Sequence, residues 1–209
     1  YQSSDASGAQ NFGYSATNFA GGDKPGEIGG VFWRTEKDWG YYADKTAPLS
    51  FADRLEARGK IKLVVGGPDA DMCFGWFRTK GDNGDVSDIP PNKTGDFIGI
   101  KIGGPTRVGH QFAPSFFVGP ELRGLAEKAP VMVPGTAYEW SLVYDPAAAD
   151  GRGAITAKLG DESVTLELKP GQKEKMKEAR FEKFGLFSIY PGGQIVKVYV
   201  DDVSYTSRR

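Results

Sequence analysis

The residues with the most chemistry available lie in the N-terminal half: Trp33, Trp39, Tyr41, Tyr42 and Trp76, with Arg34 and Arg78 close by in sequence. Aromatic rings stack on the C–H faces of sugars, and planar polar side chains hydrogen-bond their hydroxyls. Trp33, Arg34, Trp39, Tyr42, Trp76, Arg78 and His110 are therefore candidate carbohydrate-binding residues. Two of them have a second reading. Trp33 shares its phase with Val31, and Trp76 with Phe74, a spacing equally compatible with an ordinary core. Trp140, in phase with Tyr138, Leu142 and Tyr144, reads as core. Trp39 and Tyr42 lie in or beside the loop-like stretch Glu36-Lys37-Asp38-Trp39-Gly40, where exposure is expected.

His110 is the only histidine in the chain. It could move a proton near neutral pH, or it could be a surface or loop residue following Gly109. Cys73 is the only cysteine, so no intrachain disulfide can form. Its apolar setting, Asp71-Met72-Cys73-Phe74-Gly75-Trp76, predicts a buried free thiol; a reactive Cys73–His110 pair is the alternative. The stretch Thr79–Asp96 carries Asp82, Asn83, Asp85 and Asp88. Calcium takes about 6–8 oxygen ligands, but the glutamate that closes an EF-hand loop is missing, so this stretch reads as a solvated loop.

These side chains must be positioned by strands. Ile61, Leu63 and Val65 alternate with Lys60 and Lys62; Ile98, Ile100 and Ile102 repeat the pattern, as do Tyr138, Trp140, Leu142 and Tyr144, and then Val164, Leu166 and Leu168. Side chains alternate faces along a strand, so each run has one buried side. Turn residues punctuate the runs: Gly66-Gly67-Pro68-Asp69, Gly103-Gly104-Pro105, Val133-Pro134-Gly135 and Pro191-Gly192-Gly193. A hairpin is expected to join Ile155–Leu159 to Val164–Leu168. Helix is expected only over Gln172–Arg180, with Pro120–Lys128 as a further turn or short helix. In the last run, Gln194–Thr206, Val196, Val198 and Val200 share one phase while Val203 and Tyr205 share the other. A β-bulge at Asp201-Asp202 would restore one buried face.

With 29 glycines and 13 prolines among 209 residues, many short strands indicate a single all-β domain, a two-sheet antiparallel β-sandwich or jelly roll spanning 1–209. The 26 basic and 27 acidic side chains nearly balance, which argues against a nucleic-acid partner. No apolar run approaches the length of a membrane span, so no membrane insertion is expected. The chain begins at Tyr1 without a signal peptide and reads as a trimmed or mature product.

Tyr138-Glu139-Trp140-Ser141-Leu142-Val143-Tyr144-Asp145-Pro146 followed by Gly151-Arg152-Gly153-Ala154-Ile155-Thr156, together with Phe184-Gly185-Leu186-Phe187 and Val198-Tyr199-Val200-Asp201-Asp202-Val203-Ser204-Tyr205-Thr206, resembles the closing strands of concanavalin A-like lectin/glucanase (LamG-like) jelly-roll domains. The segments Ala20-Gly21-Gly22, Gly26 to Arg34 and Tyr41-Tyr42-Ala43-Asp44 resemble secreted bacterial modules found beside carbohydrate-active domains. The resemblance implies a polysaccharide or oligosaccharide partner, a secreted or periplasmic location, and a place in a larger multidomain protein. It also implies a structural calcium, held by an aspartate of the last strand (Asp201 or Asp202) and N-terminal backbone carbonyls.

This fold hosts several activities, so function has to be argued from a site. The Glu-x-Asp-x-(x)-Glu strand of its glycoside hydrolases is absent. Retaining hydrolysis needs two carboxyl groups about 5–5.5 Å apart, which leaves only Glu27 with a carboxylate distant in sequence. The first expectation is a non-catalytic or accessory carbohydrate-binding module. The enzymatic alternative is a polysaccharide lyase acting by β-elimination, with Arg34 neutralising the uronate and Tyr42 or His110 taking its proton. His110-Gln111 is similar to the Gln-x-His strand of alginate lyases, though spacing and order differ. The third reading is a structural or adhesive domain with no small ligand.

Overall fold

The computed structural model describes residues 10–33, 40–68, 70–79, 95–103, 108–119, 121–189 and 194–207. Its strands are β1 (Asn11–Ser15), β2 (Glu27–Trp33), β3 (Tyr41–Leu49), β4 (Leu55–Gly66), β5 (Met72–Arg78), β6 (Asp96–Gly103) and β7 (His110–Val118). They continue with β8 (Leu122–Leu125), β9 (Val131–Met132), β10 (Ala137–Asp145), β11 (Ala154–Leu159), β12 (Glu162–Glu167), β13 (Phe181–Ser188) and β14 (Ile195–Tyr205). One short helix, α1 (Gln172–Lys175), precedes β13.

Two sheets stack face to face. The first runs β1-β2-β14-β4-β10-β11-β12, and the second β3-β13-β5-β6-β7-β8, with β9 also on β7. The pairings among the described residues are antiparallel. The alternating runs behave as their period requires. Ile61 and Leu63 from the first sheet meet Ile98, Ile100 and Ile102 from the second in one dry interior. Phe74 and Trp140 bridge the layers edge to face at 4.9 Å. Each such aromatic contributes about 1.5–3 kcal/mol through burial. The polar atoms of the large rings are satisfied inside: Trp76 Nε1 donates to the Thr206 carbonyl at 2.9 Å and the Tyr144 hydroxyl to that of Phe51 at 2.9 Å. Met72, Cys73 and Phe74 are all buried, Cys73 as a free thiol whose pKa burial pushes up.

The bulge in the last strand is present. The register of β14 against β4 shifts between Asp201 and Ser204, and Asp202 takes a φ of 49°. Val196, Val198 and Val200 therefore face the interior before it, and Val203 and Tyr205 after it. The hairpin between β11 and β12 is also as expected, turning at Gly160 with a φ of 58°.

Two local expectations are corrected. Residues 122–125, within the stretch read as a turn or short helix, form strand β8 because they pair with β7 at Val118, Phe117, Phe116 and Ser115; sheet pairing outweighs weak local propensity. Helix covers only Gln172–Lys175 of the expected Gln172–Arg180. Met176 and Ala179 turn into the core instead. The turn at Gly103-Gly104-Pro105, that at Pro191-Gly192-Gly193 and the oxygen-rich 80–94 stretch lie wholly or partly outside the described residues.

Candidate functional site

The residues singled out from sequence do not converge. Trp76 is fully enclosed in the interior. Trp33 shares the outer face of the first sheet with Val31 and is half-buried. Arg78 ends β5 in an ion pair with the carboxylate of Asp96 at 2.9 Å, and Asp96 also accepts from the Arg180 N–H. Arg34 and Trp39 lie outside the described residues.

His110 is neither a surface nor a loop residue. It opens β7, is buried, and its Nε2–H donates to the Ala70 carbonyl at 3.1 Å. Burial pulls its pKa down, against the opposing pull of that bond and of Asp71. The ring lies against the Gly66 backbone, where a Cβ would come within 2.6 Å of Nδ1. Tyr42 lies on β3, four strand steps from β7, or about 19 Å, so Tyr42 and His110 do not meet.

Tyr42 does line a cleft. The edge strands β1 and β3 face each other where the sandwich is open, and the space between them has a volume of about 280 Å³. The alternation of β1 explains why it stays open. Phe12 points inward and stacks on Phe32 of the neighbouring strand at 4.1 Å. Tyr14, two residues on and in the same phase, meets the side-chain-free Gly26 and remains 67% exposed. On β3, Tyr42 and Asp44 share the inward phase opposite Leu186 and Phe184. The Tyr42 ring lies over Gly13, where a Cβ would stand 3.4 Å away, and is 42% exposed. Tyr205, set inward by the bulge, stacks on Phe184 at 4.0 Å and donates its hydroxyl to Asp44 at 2.7 Å. Burial, then that bond, pushes the Tyr205 pKa up to about 12.

Glu27, Asp201 and Asp202 also reach the cleft. Glu27 is buried and clamps the segment before β2, accepting from the Thr17 hydroxyl at 2.6 Å and from the N–H groups of Phe19 and Ala20 at 2.8 Å. Asp202 accepts from the Asp23 N–H and pairs with Lys60 at 3.0 Å; the Lys60 hydrogen bond holds its pKa below the usual carboxylate range. Asp201 is 7% exposed. Its Oδ1 accepts from the Asp202 N–H, but its Oδ2 is buried without a hydrogen-bond partner. Gly22 passes so close that a Cβ there would stand 2.0 Å from Oδ2. A buried carboxylate oxygen left unpaired is costly, and a hard cation would satisfy it. Among the described residues no three His, Cys, Asp or Glu side chains are grouped to hold a metal, so such an ion would depend on backbone oxygens for most of its ligands.

Sequence reading missed Tyr14 and Tyr205 as site residues and quoted Asp44 without a role. The phase change at Asp201-Asp202 was the signal for Tyr205. Tyr14 had only the alternation of Phe12 and Tyr14.

No family model matches the chain, and no curated protein is similar to it in sequence. Solved structures are similar in shape. The alginate lyase Aly36B superposes with a TM-score of 0.53 at 9% identity, over 89% of this chain and 82% of that one. The Emp47p carbohydrate recognition domain gives 0.53 at 10% identity over 94% and 89%. A Bacteroides ovatus GH16 protein of a mixed-linkage glucan locus, in complex with a G4G4G3G product, gives 0.51 at 15% identity over 88% and 82%. The fold is the concanavalin A-like jelly roll. At these identities the likeness extends to fold and not to site residues.

Proposed function

We propose that this jelly roll is a non-catalytic or accessory polysaccharide-binding module that seats a glycan in the cleft between β1 and β3. The observation that carries the reading is the pairing of Tyr14 and Tyr42, two exposed rings on facing edge strands, with the Asp44 carboxylate between the layers. Rings of this kind stack on pyranose faces, and a carboxylate accepts from hydroxyls through lone pairs that one hydrogen bond does not use up. A polysaccharide partner also accords with a fold shared with a carbohydrate recognition domain and a glucan-bound protein. The lyase alternative needs Arg34 beside Tyr42 or His110, and with Arg34 outside the described residues it has no comparable support.

Affinity electrophoresis against a polysaccharide panel tests the reading. The native chain is expected to be retarded by at least one polysaccharide, and Tyr42→Ala to lose at least about tenfold in affinity while keeping its melting temperature. Failure of the native chain to bind any polysaccharide would refute it.

Calcium belongs to the same proposal. Asp201 Oδ2 and backbone oxygens of the 21–23 segment are the groups that would hold it. When bound, the ion would neutralise the buried carboxylate and fix that segment to β14. Secretion, and attachment to a larger protein, complete the proposal. Among the described residues no helix is long and apolar enough to cross a membrane.

A further inference from the structure

We propose that the β1–β3 cleft selects uncharged glycans and discriminates against uronate-rich ones, an inference that rests on the glycan-binding reading above. Its described walls carry one sign of charge. Glu27, Asp44, Asp201 and Asp202 contribute carboxylates, and no Lys or Arg is among the described residues that line it.

The four carboxylates are not equivalent. Glu27 has both oxygens occupied by the Thr17 hydroxyl and two backbone N–H groups. Asp202 is compensated by the Lys60 ammonium. Asp201 is buried against Gly22. Asp44 differs on each count: it is exposed, it stands on an edge strand, and its bond from Tyr205 comes from a neutral hydroxyl that leaves the charge in place. The raised pKa of Tyr205 keeps that hydroxyl protonated across the physiological range.

A pyranose resting on Tyr42 therefore lies beside a carboxylate, two residues along the same strand face, that has no ion-pair partner among the described residues. A sugar hydroxyl can donate to it. A ring carboxylate cannot, and it is repelled from well within the Debye length of about 8 Å at physiological salt. A glycan bearing one uronate per residue has no way to place a neutral residue there.

The test uses matched pairs that differ only in the carboxylate: β-1,4-glucan against β-1,4-glucuronan oligosaccharides, and β-1,4-mannan against mannuronan oligosaccharides. Affinities of the native chain, Asp44→Asn and Tyr42→Ala are measured by calorimetry at ionic strengths of about 20 mM and about 150 mM. Asparagine keeps the shape and can still accept from Tyr205. The native chain is expected to favour the neutral member of at least one pair by about tenfold or more at low salt, less at high salt. Asp44→Asn is expected to narrow that ratio at least about threefold, its uronate affinity rising relative to its neutral affinity. Equal or tighter uronate binding by the native chain, an unchanged ratio in Asp44→Asn, or full binding by Tyr42→Ala each overturns the inference while leaving polysaccharide binding intact. Absence of binding to every neutral and acidic glycan, here and on the wider panel, defeats the glycan reading itself.

Discussion

The outer face of the second sheet and the open edge of the sandwich are built from the same kind of residue, and they end in opposite states. On the outer face, Phe97 and Phe187 meet edge to face at 5.1 Å and Phe77 and Phe187 lie 4.9 Å apart, with Cys73 and Ile189 in the same cluster. Phe77, Phe97 and Phe187 are at most 2% exposed. At the edge, Tyr14 and Tyr42 stand 67% and 42% exposed over glycine backbone. Aromatic content does not separate the two regions. What separates them is the residue opposite: a second ring closes the contact on the sheet face, whereas Gly13 and Gly26 leave the tyrosine rings one free side. A ligand surface on this fold is therefore located by finding aromatics that face glycine rather than by counting aromatics.

The comparison can be broken most forcefully by truncating one ring from each region. Phe97→Ala should cost about 3–5 kcal/mol of stability, read by chemical denaturation, with glycan affinity of the folded protein unchanged. Tyr42→Ala should cost less than about 1 kcal/mol, since the ring is half open to water, and should remove binding. The reverse pattern would put the binding surface on the sheet face.

Next in size is the effect of calcium. A cation held by Asp201 should stabilise the folded chain by about 2.7 kcal/mol at a hundredfold excess over Kd, growing with the logarithm of its concentration and read as a higher melting temperature, and Asp201→Asn should abolish the rise. A calorimetric scan in calcium and in chelator measures both. Equal scans for the native chain would remove the ion from Asp201.

A smaller effect concerns His110. Burial lowers its pKa in the folded chain below the 6.5 of a free imidazole, so below that pH the unfolded chain binds the extra proton and the native state loses stability as pH falls. The slope is at most about 1.4 kcal/mol per pH unit. His110→Gln, which keeps a donor for the Ala70 carbonyl, should flatten the pH dependence of stability as pH falls below about 6.5. An unchanged slope would place the proton elsewhere. The smallest effect is expected at the rim. Tyr205→Phe removes a hydrogen bond to an exposed carboxylate that water can replace, at a cost of about 0.5–1.5 kcal/mol.

The layered architecture was legible because period-two alternation is a local property. Ile98, Ile100 and Ile102 announce a buried face without knowledge of what covers them, and the Val200-to-Val203 phase change announced the bulge in the same way. The site was less legible because it is made by meeting. Tyr14, Tyr42 and Tyr205 come from three strands that are far apart in the chain, and nothing in any one of them records that Gly13 and Gly26 sit opposite. Trp76 stays open between core and binding surface for the converse reason: its own strand admits both, while a partner that encloses it, Phe184, lies on another strand. His110 was placed after a glycine and read as loop, since the pairing of β7 with β9 that holds it, His110 with Met132, is non-local.

The extra residue in β14 has a consequence for how this domain can vary. Were the last strand to pair with β4 straight through 201–202, at its present length but without the bulge, Val203 and Tyr205 would rotate to the solvent side and Ser204 would turn inward. The ring stacked on Phe184 would leave with them, and Asp44 would lose its phenolic donor. The bulge thus sets the frame for everything downstream: regular pairing at the same length would strip the cleft of its floor with composition untouched, whereas loss of the bulge together with one residue would keep that floor in place.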